Sequence, residues 1–389
     1  MIYLQALGIV SPLGEGLEAT RRALFAGDTS GMKVESGWLP NAPACVGRVS
    51  AELAPLPAPL AEWDCRNNRL LAAAAAQIRP AIDAALARHG AHRVALVIGT
   101  STSGIASGED AMAAKIRDGA FPREFSYRQQ EIGGTAPLGA RLLGVRGPAY
   151  TVSTACTSGA KALLAARRLL ELGVCDAAIA GGVDTLCRLT VGGFASLEST
   201  SAQRCNPLSR NRSGINIGEG SALFLLGREP AAVALVGGGE SSDAHHLSAP
   251  DPAGAGAETA MRAALADARA KPADIGYVNL HATATRKNDE MESRVMARIF
   301  PTGTPVSGTK PLTGHALGAA GALEAAFCWL TLTDGRLPPH VWDGEADPEL
   351  PALRVAAKGE RLEARKPRRL VMSNSFAFGG SNASLIFSG

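Results

Sequence analysis

The hydrophobic positions of this chain follow two patterns. Short runs of aliphatic and β-branched residues, at 94–98 and 275–280 for example, predict buried strands. Longer segments, at 67–88 and 258–270, repeat apolar residues every three or four positions and predict amphipathic helices. Because strands and helices alternate from end to end, the pattern favours an α/β fold. Residues 36–60 hold five prolines and predict a surface excursion.

One segment, residues 151–163, combines a strand, a tight turn and the start of a helix, with Cys156 at the bend. A thiol at a helix N-terminus is expected to have a lowered pKa and to react readily. A buried structural cysteine is the competing interpretation of the local sequence.

A weak internal repeat links the two halves of the chain. Gly159-Ala160 follows Cys156 at the same offset at which Gly318-Ala319 follows His315. Each pair opens a helix rich in small residues. With strands and helices alternating in both halves, this predicts a duplicated fold with one catalytic residue at the matching helix start of each half.

Composition narrows the function classes. The 389 residues are 46% hydrophobic and 19% charged, which supports a sizeable core. A net charge of +3 does not favour a nucleic-acid partner. Seven cysteines without a CxxC pair indicate reduced thiols and a cytoplasmic protein. No apolar run reaches about 18 residues, so we expect no membrane span.

Four separate segments carry candidate chemistry. They are the turn at Cys156, the segment 279–289 with His281, the segment 308–321 with Lys310 and His315, and the Gly-Gly turn within 373–382. The last could direct backbone N–H groups at a developing oxyanion. The histidines lack HxxxH or HExxH spacing, so we expect no metal site.

Together these segments closely resemble the β-ketoacyl-acyl carrier protein synthases. The family's T-A-C-x-S, H-G-T-x-T, K-x-x-x-G-H-x-x-G-A-A-G and N-S-F-G-F-G-G-x-N motifs correspond to residues 154–158, 281–285, 310–321 and 374–382. The resemblance covers almost the whole chain. It implies a thiolase-like fold in which two pseudo-symmetric β/α halves form an α-β-α-β-α sandwich. The halves are expected at residues 1–230 and 231–389.

The resemblance also implies a mechanism. Cys156 would accept the acyl group, and its backbone N–H with that of Phe378 would form an oxyanion hole. His281 and His315 would donate hydrogen bonds to the malonyl thioester oxygen during decarboxylation. Lys310 would organise the site electrostatically. Glu324 would support it or serve only as a buried ion-pair partner of that lysine, and the sequence does not separate these two roles.

Further residues are implied for substrate and partner binding. The hydroxyls of Thr283 and Thr285 would hold the pantetheine arm, and Phe376 belongs to a gating loop. Arg66 and Arg69 would dock the acidic carrier protein, although plain solvated charge explains them equally well. No cofactor is implied, and the expected assembly is a homodimer or a heterodimer with a related subunit. The substrate-binding group is completed by Gly379, Gly380 and Asn382.

Departures from the family pattern leave the pathway open. Ala282 and Ala377 stand where glycine is usual, Arg286 stands where proline is common, and residues 206–214 replace a common R-P-F-D-x-x-R-D-G pattern. Fatty acid, polyketide and aryl polyene synthesis all stay open.

A thiolase is disfavoured because no cysteine follows Cys328. A non-elongating, chain-length-factor-like partner is disfavoured because such subunits lack the nucleophile, and a starter-unit synthase would carry Cys-His-Asn.

Overall fold

A computed structural model describes residues 1–300, 303–363 and 368–389. Within these residues the chain forms thirteen strands and eleven α-helices. The strands are β1 Ile2–Ser11, β2 Gly14–Glu15, β3 Met32–Glu35, β4 Ala44–Gly47, β5 Val94–Gly99, β6 Ala149–Val152, β7 Ala177–Asp184, β8 Gly220–Gly227, β9 Val233–Ser242, β10 Ile275–Asn279, β11 Val306–Ser307, β12 Leu370–Phe376 and β13 Ser381–Ser388. The helices are α1 Leu17–Ala26, α2 Arg66–Gln77, α3 Arg79–His89, α4 Ile105–Asp118, α5 Thr135–Leu143, α6 Ser158–Glu171, α7 Arg188–Ser196, α8 Ala255–Asp267, α9 Arg286–Ile299, α10 Lys310–Thr313 and α11 Ala320–Asp334.

The strand order shows the internal duplication. The main sheet runs β11-β10-β12-β13-β9-β1-β8-β7-β5-β6, and β2 is attached to β1. The strands of the first half (β1, β5, β6, β7 and β8) and those of the second half (β9 to β13) can each be numbered 1 to 5. From its outer edge to the centre of the sheet, each half then has the strand order 3-2-4-5-1. The halves meet where β1 pairs antiparallel with β9, at Tyr3 and Ala234 for example. The predicted α/β class is confirmed, and the mirrored order agrees with two pseudo-symmetric halves.

Helices α6 and α11 occupy equivalent places, because each connects the third and fourth strands of its half. They pack closely since both start with small residues. A Cβ on Gly159 would lie 2.8 Å from the backbone N of Ala322, and one on Gly321 would lie 2.9 Å from the backbone N of Ala160. This close approach brings the N-terminal ends of the two helices, and the residues before them, into one region.

Three local predictions were wrong. The single helix expected at 67–88 is two helices, since Pro80 follows the first residue of α3 and a proline cannot continue the helical hydrogen bonding before it. The segment 36–60 is not wholly a surface excursion, because β4 within it is buried and pairs with β3. Residues 105–135 are charged and mixed and predict short helices and loops, but the segment begins with the continuous 14-residue α4.

No single helix in the described ranges has the length and apolar composition needed to cross a membrane. Helices α2 and α3 pass that test only as a pair, and they meet at a bend of 74°.

Candidate active site

Cys156 lies in the turn between β6 and α6, and its side chain is buried. Ala155 before it has φ of 50°, a left-handed conformation that costs a residue with a Cβ about 1–2 kcal/mol. Ser158 stabilises this turn. Its hydroxyl accepts a hydrogen bond from the Thr154 N–H at 2.8 Å and donates one to the Ala155 carbonyl at 2.6 Å. The turn thereby presents the thiol to the second half of the chain.

His315 is the direct partner of the nucleophile. Its Nε2 lies 2.9 Å from the Cys156 Sγ, although 159 positions separate the two residues. His315 is itself placed by a backbone hydrogen bond from its N–H to the Asn216 carbonyl at 2.7 Å. It lies two residues before the short 3₁₀ turn Leu317–Ala319 that leads into α11. The predicted correspondence between Cys156 and His315 at matching helix starts therefore agrees with their positions.

The predicted lowering of the Cys156 pKa was wrong. Burial raises the pKa of this thiol to about 12, and the charge of Lys310 and the Phe378 N–H only partly oppose that rise. Burial also lowers the pKa of His315 well below 6.5, and Lys310 lowers it further. Both partners are therefore neutral at rest. An imidazole nitrogen in this position can activate a neutral thiol by accepting its proton, so the arrangement does not require a free thiolate.

His281 follows β10 by two residues and forms the second imidazole of the site. Its ring lies edge-on to the His315 ring, with centroids 5.2 Å apart. The carboxylate of Glu292 on α9 holds the segment, since it accepts the N–H of His281 at 2.8 Å and that of Ala282 at 2.7 Å. Ala282 has φ of 38°, so this departure from glycine places a Cβ in a conformation that favours glycine.

Lys310 and Glu324 form a buried ion pair beside His281. Their side chains are 2% and 4% exposed, and Nζ lies 2.5 Å from Oε1. The Lys310 Nζ also donates to the His281 carbonyl and lies 3.5 Å from the His281 Nδ1. An ammonium can only donate, so Nδ1 must be the accepting nitrogen. The proton of neutral His281 is therefore on Nε2, as a hydrogen-bond donor to substrate requires.

The Gly-Gly turn after β12 supplies a backbone donor. The Phe378 N–H is hydrogen-bonded to Cys156 and opposes the rise of its pKa. Gly379 adopts φ of 81° within this turn, and its N–H donates to the Leu247 carbonyl at 2.7 Å. Ala377 has φ of −111°, ordinary extended backbone, so its replacement of glycine introduces no backbone strain. The Phe378 ring packs against Phe194 at 5.1 Å between centroids.

A cavity of about 370 Å³ reaches from these residues to the surface. Thr283 and Thr285 line it, and their hydroxyl oxygens lie 3.0 Å apart. The cavity is also lined by Phe376 and Asn382, whereas Gly379 and Gly380, in the turn that begins at Phe378, do not line it. The predicted catalytic residues Cys156, His281 and His315 line its buried part.

Arg66 and Arg69 lie away from this cavity and are both engaged in ion pairs. Arg66 contacts Glu219, a fully buried carboxylate, at 2.6 Å, and Arg69 contacts Asp64 at 2.7 Å. Each arginine side chain is 36% exposed. Neither is a plain solvated charge, and their role in carrier-protein docking stays a prediction.

Sequence reasoning missed the buried acids around the site. Asp184 is fully buried and accepts hydrogen bonds from Thr100, Ser101 and Thr102, and from the Gly318 N–H at 2.6 Å. It thus connects β7 to the turn that follows His315. Glu292 likewise connects α9 to the segment that carries His281. For Asp184 the local signal was a carboxylate at the end of an otherwise apolar strand.

The thiol and the two imidazoles also form a set of potential metal ligands. The candidate donor atoms of Cys156, His281 and His315 all lie within 4.8 Å of one another. Such a set could bind a soft divalent cation. The sequence spacing gave no sign of it, because the three residues come from distant parts of the chain.

Comparison with known proteins decides the family. The model for the β-ketoacyl synthase N-terminal domain matches residues 2–232, and the model for the C-terminal domain matches residues 232–342. This chain belongs to the β-ketoacyl synthase family. Its fold is therefore thiolase-like, and the protein is a condensing enzyme of the acyltransferase class, as the sequence predicted.

Individual relatives agree with that assignment. A 3-oxoacyl-[acyl-carrier-protein] synthase 2 of Vibrio cholerae is 30% identical over 99% of this chain and 98% of its own length. The same enzyme of Staphylococcus aureus is 33% identical over 63% of this chain and 64% of its own. Among solved structures, one chain of the ketosynthase ApeO in complex with its chain length factor ApeC, from Xenorhabdus doucetiae, is 48% identical. That match has a TM-score of 0.96 and covers 100% of this chain and 97% of the other.

Proposed function

We propose that this synthase condenses an acyl group held on Cys156 with a malonyl group held on an acyl carrier protein. The products are a 3-oxoacyl-carrier protein, carbon dioxide and free carrier protein. The observation that carries this proposal is the 2.9 Å contact between the Cys156 Sγ and the His315 Nε2, with the His281 ring beside it. That arrangement supplies a nucleophile, a proton acceptor and a hydrogen-bond donor at the base of one cavity.

In the first half-reaction the Cys156 thiol attacks the acyl thioester. Its proton passes to the His315 Nε2 and from there to the departing pantetheine thiolate, so charge balances. The oxyanion of the tetrahedral intermediate accepts hydrogen bonds from the N–H groups of Cys156 and Phe378. The high pKa of the buried thiol makes this proton acceptor necessary, since little thiolate exists at neutral pH.

In the second half-reaction the malonyl C–carboxylate bond breaks, carbon dioxide leaves and an enolate forms on the thioester oxygen. His281 donates to that oxygen from Nε2, the tautomer that Lys310 imposes. A hydrogen bond from His315 to the same oxygen requires its ring proton on Nε2, the nitrogen that accepts the thiol proton in the first half-reaction. The enolate carbon attacks the acyl thioester on Cys156. The new C–C bond forms as the cysteine thiolate leaves, and the thiolate takes up one proton from solvent, the proton that the overall decarboxylative condensation consumes. Glu324 acts as the ion-pair partner of Lys310.

We propose that the thiolase-like halves divide at residues 230 and 231, between β8 and β9. The substrates arrive on the phosphopantetheine arm, and no separate cofactor takes part in any step above. Thr283, Thr285 and Asn382 would contact the arm, and Phe376 would gate its access. A cytoplasmic location stays a prediction.

The preferred assembly is a heterodimer with a related subunit of the chain-length-factor type, and a homodimer is the alternative. The support is the likeness to a chain of the ketosynthase–chain length factor complex and an exposed apolar surface near β6. Strand β6 lies at the open edge of the main sheet, where an added strand could pair. The surface consists of exposed side chains on and beside α4 and β6, namely Met112, Ile116, Tyr127, Ile132 and Tyr150.

Two assays test this function. The protein, alone and with a candidate partner subunit, is incubated with a panel of acyl-carrier proteins and malonyl-carrier protein, and product masses are measured. A 3-oxoacyl product two carbons longer than the acyl donor is expected. His281→Ala should keep acylation of Cys156 and lose condensation, because only the His315 ring contacts the thiol. Equal loss of both steps in this variant would contradict the division of roles.

A further inference from the structure

The cavity described above has a chemically distinct outer end. Cys156 and His281 at its base are buried, whereas Arg286 and Lys287 line the same cavity and are exposed. These two residues are the first two of α9. Two adjacent cations therefore lie at the mouth of the site in which thioester chemistry takes place.

Neither cation has a structural partner that explains it. Among the described residues, no carboxylate lies within 4.0 Å of Arg286 or Lys287, although most other arginines of the chain form such pairs. Asp347 is the acid whose pKa the charge of Arg286 helps to lower, but its ion-pair partner is Arg212, and the hydrogen bond from Arg212 is the main cause of that lowering. Cations at the start of a helix are also unfavourable for the helix itself. Their position therefore does not serve the stability of the fold.

The order of residues along this wall matches the order of groups along a phosphopantetheine arm. Burial decreases along this wall from His281 and Thr283, which are 2% and 6% exposed, through the half-buried Thr285 to the exposed Arg286 and Lys287. The arm runs from the thioester through two amides and a hydroxyl to a phosphodiester. With the thioester at His281 and the amides beside the threonine hydroxyls, the phosphodiester comes next to the two cations.

We propose that Arg286 and Lys287 form a binding site for the phosphate of the phosphopantetheine arm. This proposal rests on the proposed function, because it names the substrate group that the same cavity receives. An arginine and a lysine side by side suit a phosphate, since charge-assisted hydrogen bonds to phosphate oxygens are among the stronger polar contacts in proteins. The proline that is common at position 286 in the family could not supply this contact.

Two acidic residues also line the cavity, and neither forms an ion pair with Arg286 or Lys287. Asp243 also lines the cavity, but its carboxylate is occupied by the Asn382 Nδ2 at 2.7 Å and by the Asp251 N–H at 3.1 Å. Glu198 lines it from the segment after α7. As an anion it repels phosphate, so the arm is expected to lie against the α9 wall rather than against Glu198.

The test compares three malonyl donors with the acylated enzyme: malonyl-phosphopantetheine, malonyl-pantetheine, which lacks the phosphate, and malonyl-carrier protein. The unmodified enzyme should prefer the phosphorylated small donor by about tenfold in kcat/KM. In Arg286→Ala/Lys287→Ala this preference should fall to about twofold or less, mainly through KM. Reactivity with malonyl-pantetheine should change much less than reactivity with malonyl-phosphopantetheine. The preference should also weaken with rising salt.

Arg22→Ala/Lys33→Ala is the matched control, because it removes the same charge from two exposed positions outside the cavity. It should keep the preference for the phosphorylated donor. A preference that survives in Arg286→Ala/Lys287→Ala would overturn the proposal. So would a loss confined to malonyl-carrier protein, which would assign the cations to the carrier's own acidic surface. Failure of every donor with the unmodified enzyme would instead contradict the proposed function.

Discussion

The buried pair of Lys310 and Glu324 offers a quantitative test of how the site is held. Lys310→Met removes the cation and leaves the Glu324 carboxyl in a pocket where its other oxygen has no hydrogen-bond partner. The buried carboxyl must then take up a proton, because an unpaired ionised carboxylate is too costly in the interior. The protein's stability should fall, and the loss should depend on pH.

The size of this loss follows from proton uptake. With an unfolded-state pKa of 4.5 and 1.36 kcal/mol per pKa unit, protonating Glu324 costs up to about 4 kcal/mol at pH 7.5 and about 1.4 kcal/mol at pH 5.5. The pKa in the folded state is raised, so the folded state binds more protons than the unfolded state, and stability is lost as pH rises above 4.5. Lys310→Met/Glu324→Gln has no carboxyl at this position and avoids that cost.

Urea denaturation of the single and double variants at pH 5.5 and 7.5 measures the difference. The double variant should be more stable than the single one by up to about 4 kcal/mol at pH 7.5, with the gap shrinking toward about 1.4 kcal/mol at pH 5.5. Both variants should lose malonyl decarboxylation, since neither donates to the His281 Nδ1. A gap that does not change with pH would refute the reasoning. So would a double variant that regains decarboxylation.

Three further predictions concern other parts of the site. Ser158→Ala should destabilise the protein by about 1–3 kcal/mol and slow acylation, because the Ala155 turn loses two hydrogen bonds. Urea denaturation measures the loss of stability, and intact-mass kinetics measure the acylation rate. An unchanged acylation rate would show that the turn holds without this hydroxyl. The acylation rate should stay constant from pH 8 to pH 6.5 and fall only well below pH 6.5, because the His315 pKa is lowered and only the neutral imidazole accepts the thiol proton. Stopped-flow measurements of acylation test this. A decrease in rate centred near pH 6.5 would contradict it. Arg69→Glu should weaken carrier-protein binding in a salt-dependent way, and calorimetry showing unchanged affinity would leave Arg69 only its ion pair with Asp64.

The sequence located the chemistry because each key residue lies beside a recognisable turn. Cys156 follows a β-branched run and precedes small residues, and His281 ends an apolar strand. Such local patterns survive in the structure as strand ends and helix starts. The mirrored strand order also agrees with the weak Gly-Ala repeat after Cys156 and His315.

What the sequence could not provide depends on contacts between distant residues. Asp184 contacts Gly318 across 134 positions, and Cys156 meets His315 across 159. The pKa of Cys156 was predicted in the wrong direction for the same reason. A helix N-terminus is visible in the sequence, whereas the complete burial that outweighs it arises from packing of the two halves.

The proposed reaction requires that Cys156 carries the acyl group during condensation. The most direct measurement is intact-mass spectrometry of the protein after incubation with an acyl-carrier protein, followed by peptide mapping and then by addition of malonyl-carrier protein. One acyl group should appear on Cys156, be absent in Cys156→Ser, and leave the enzyme as a 3-oxoacyl-carrier protein when the malonyl donor is added. No acylation, acylation at another residue, or an acyl-Cys156 that malonyl-carrier protein does not discharge would contradict the account.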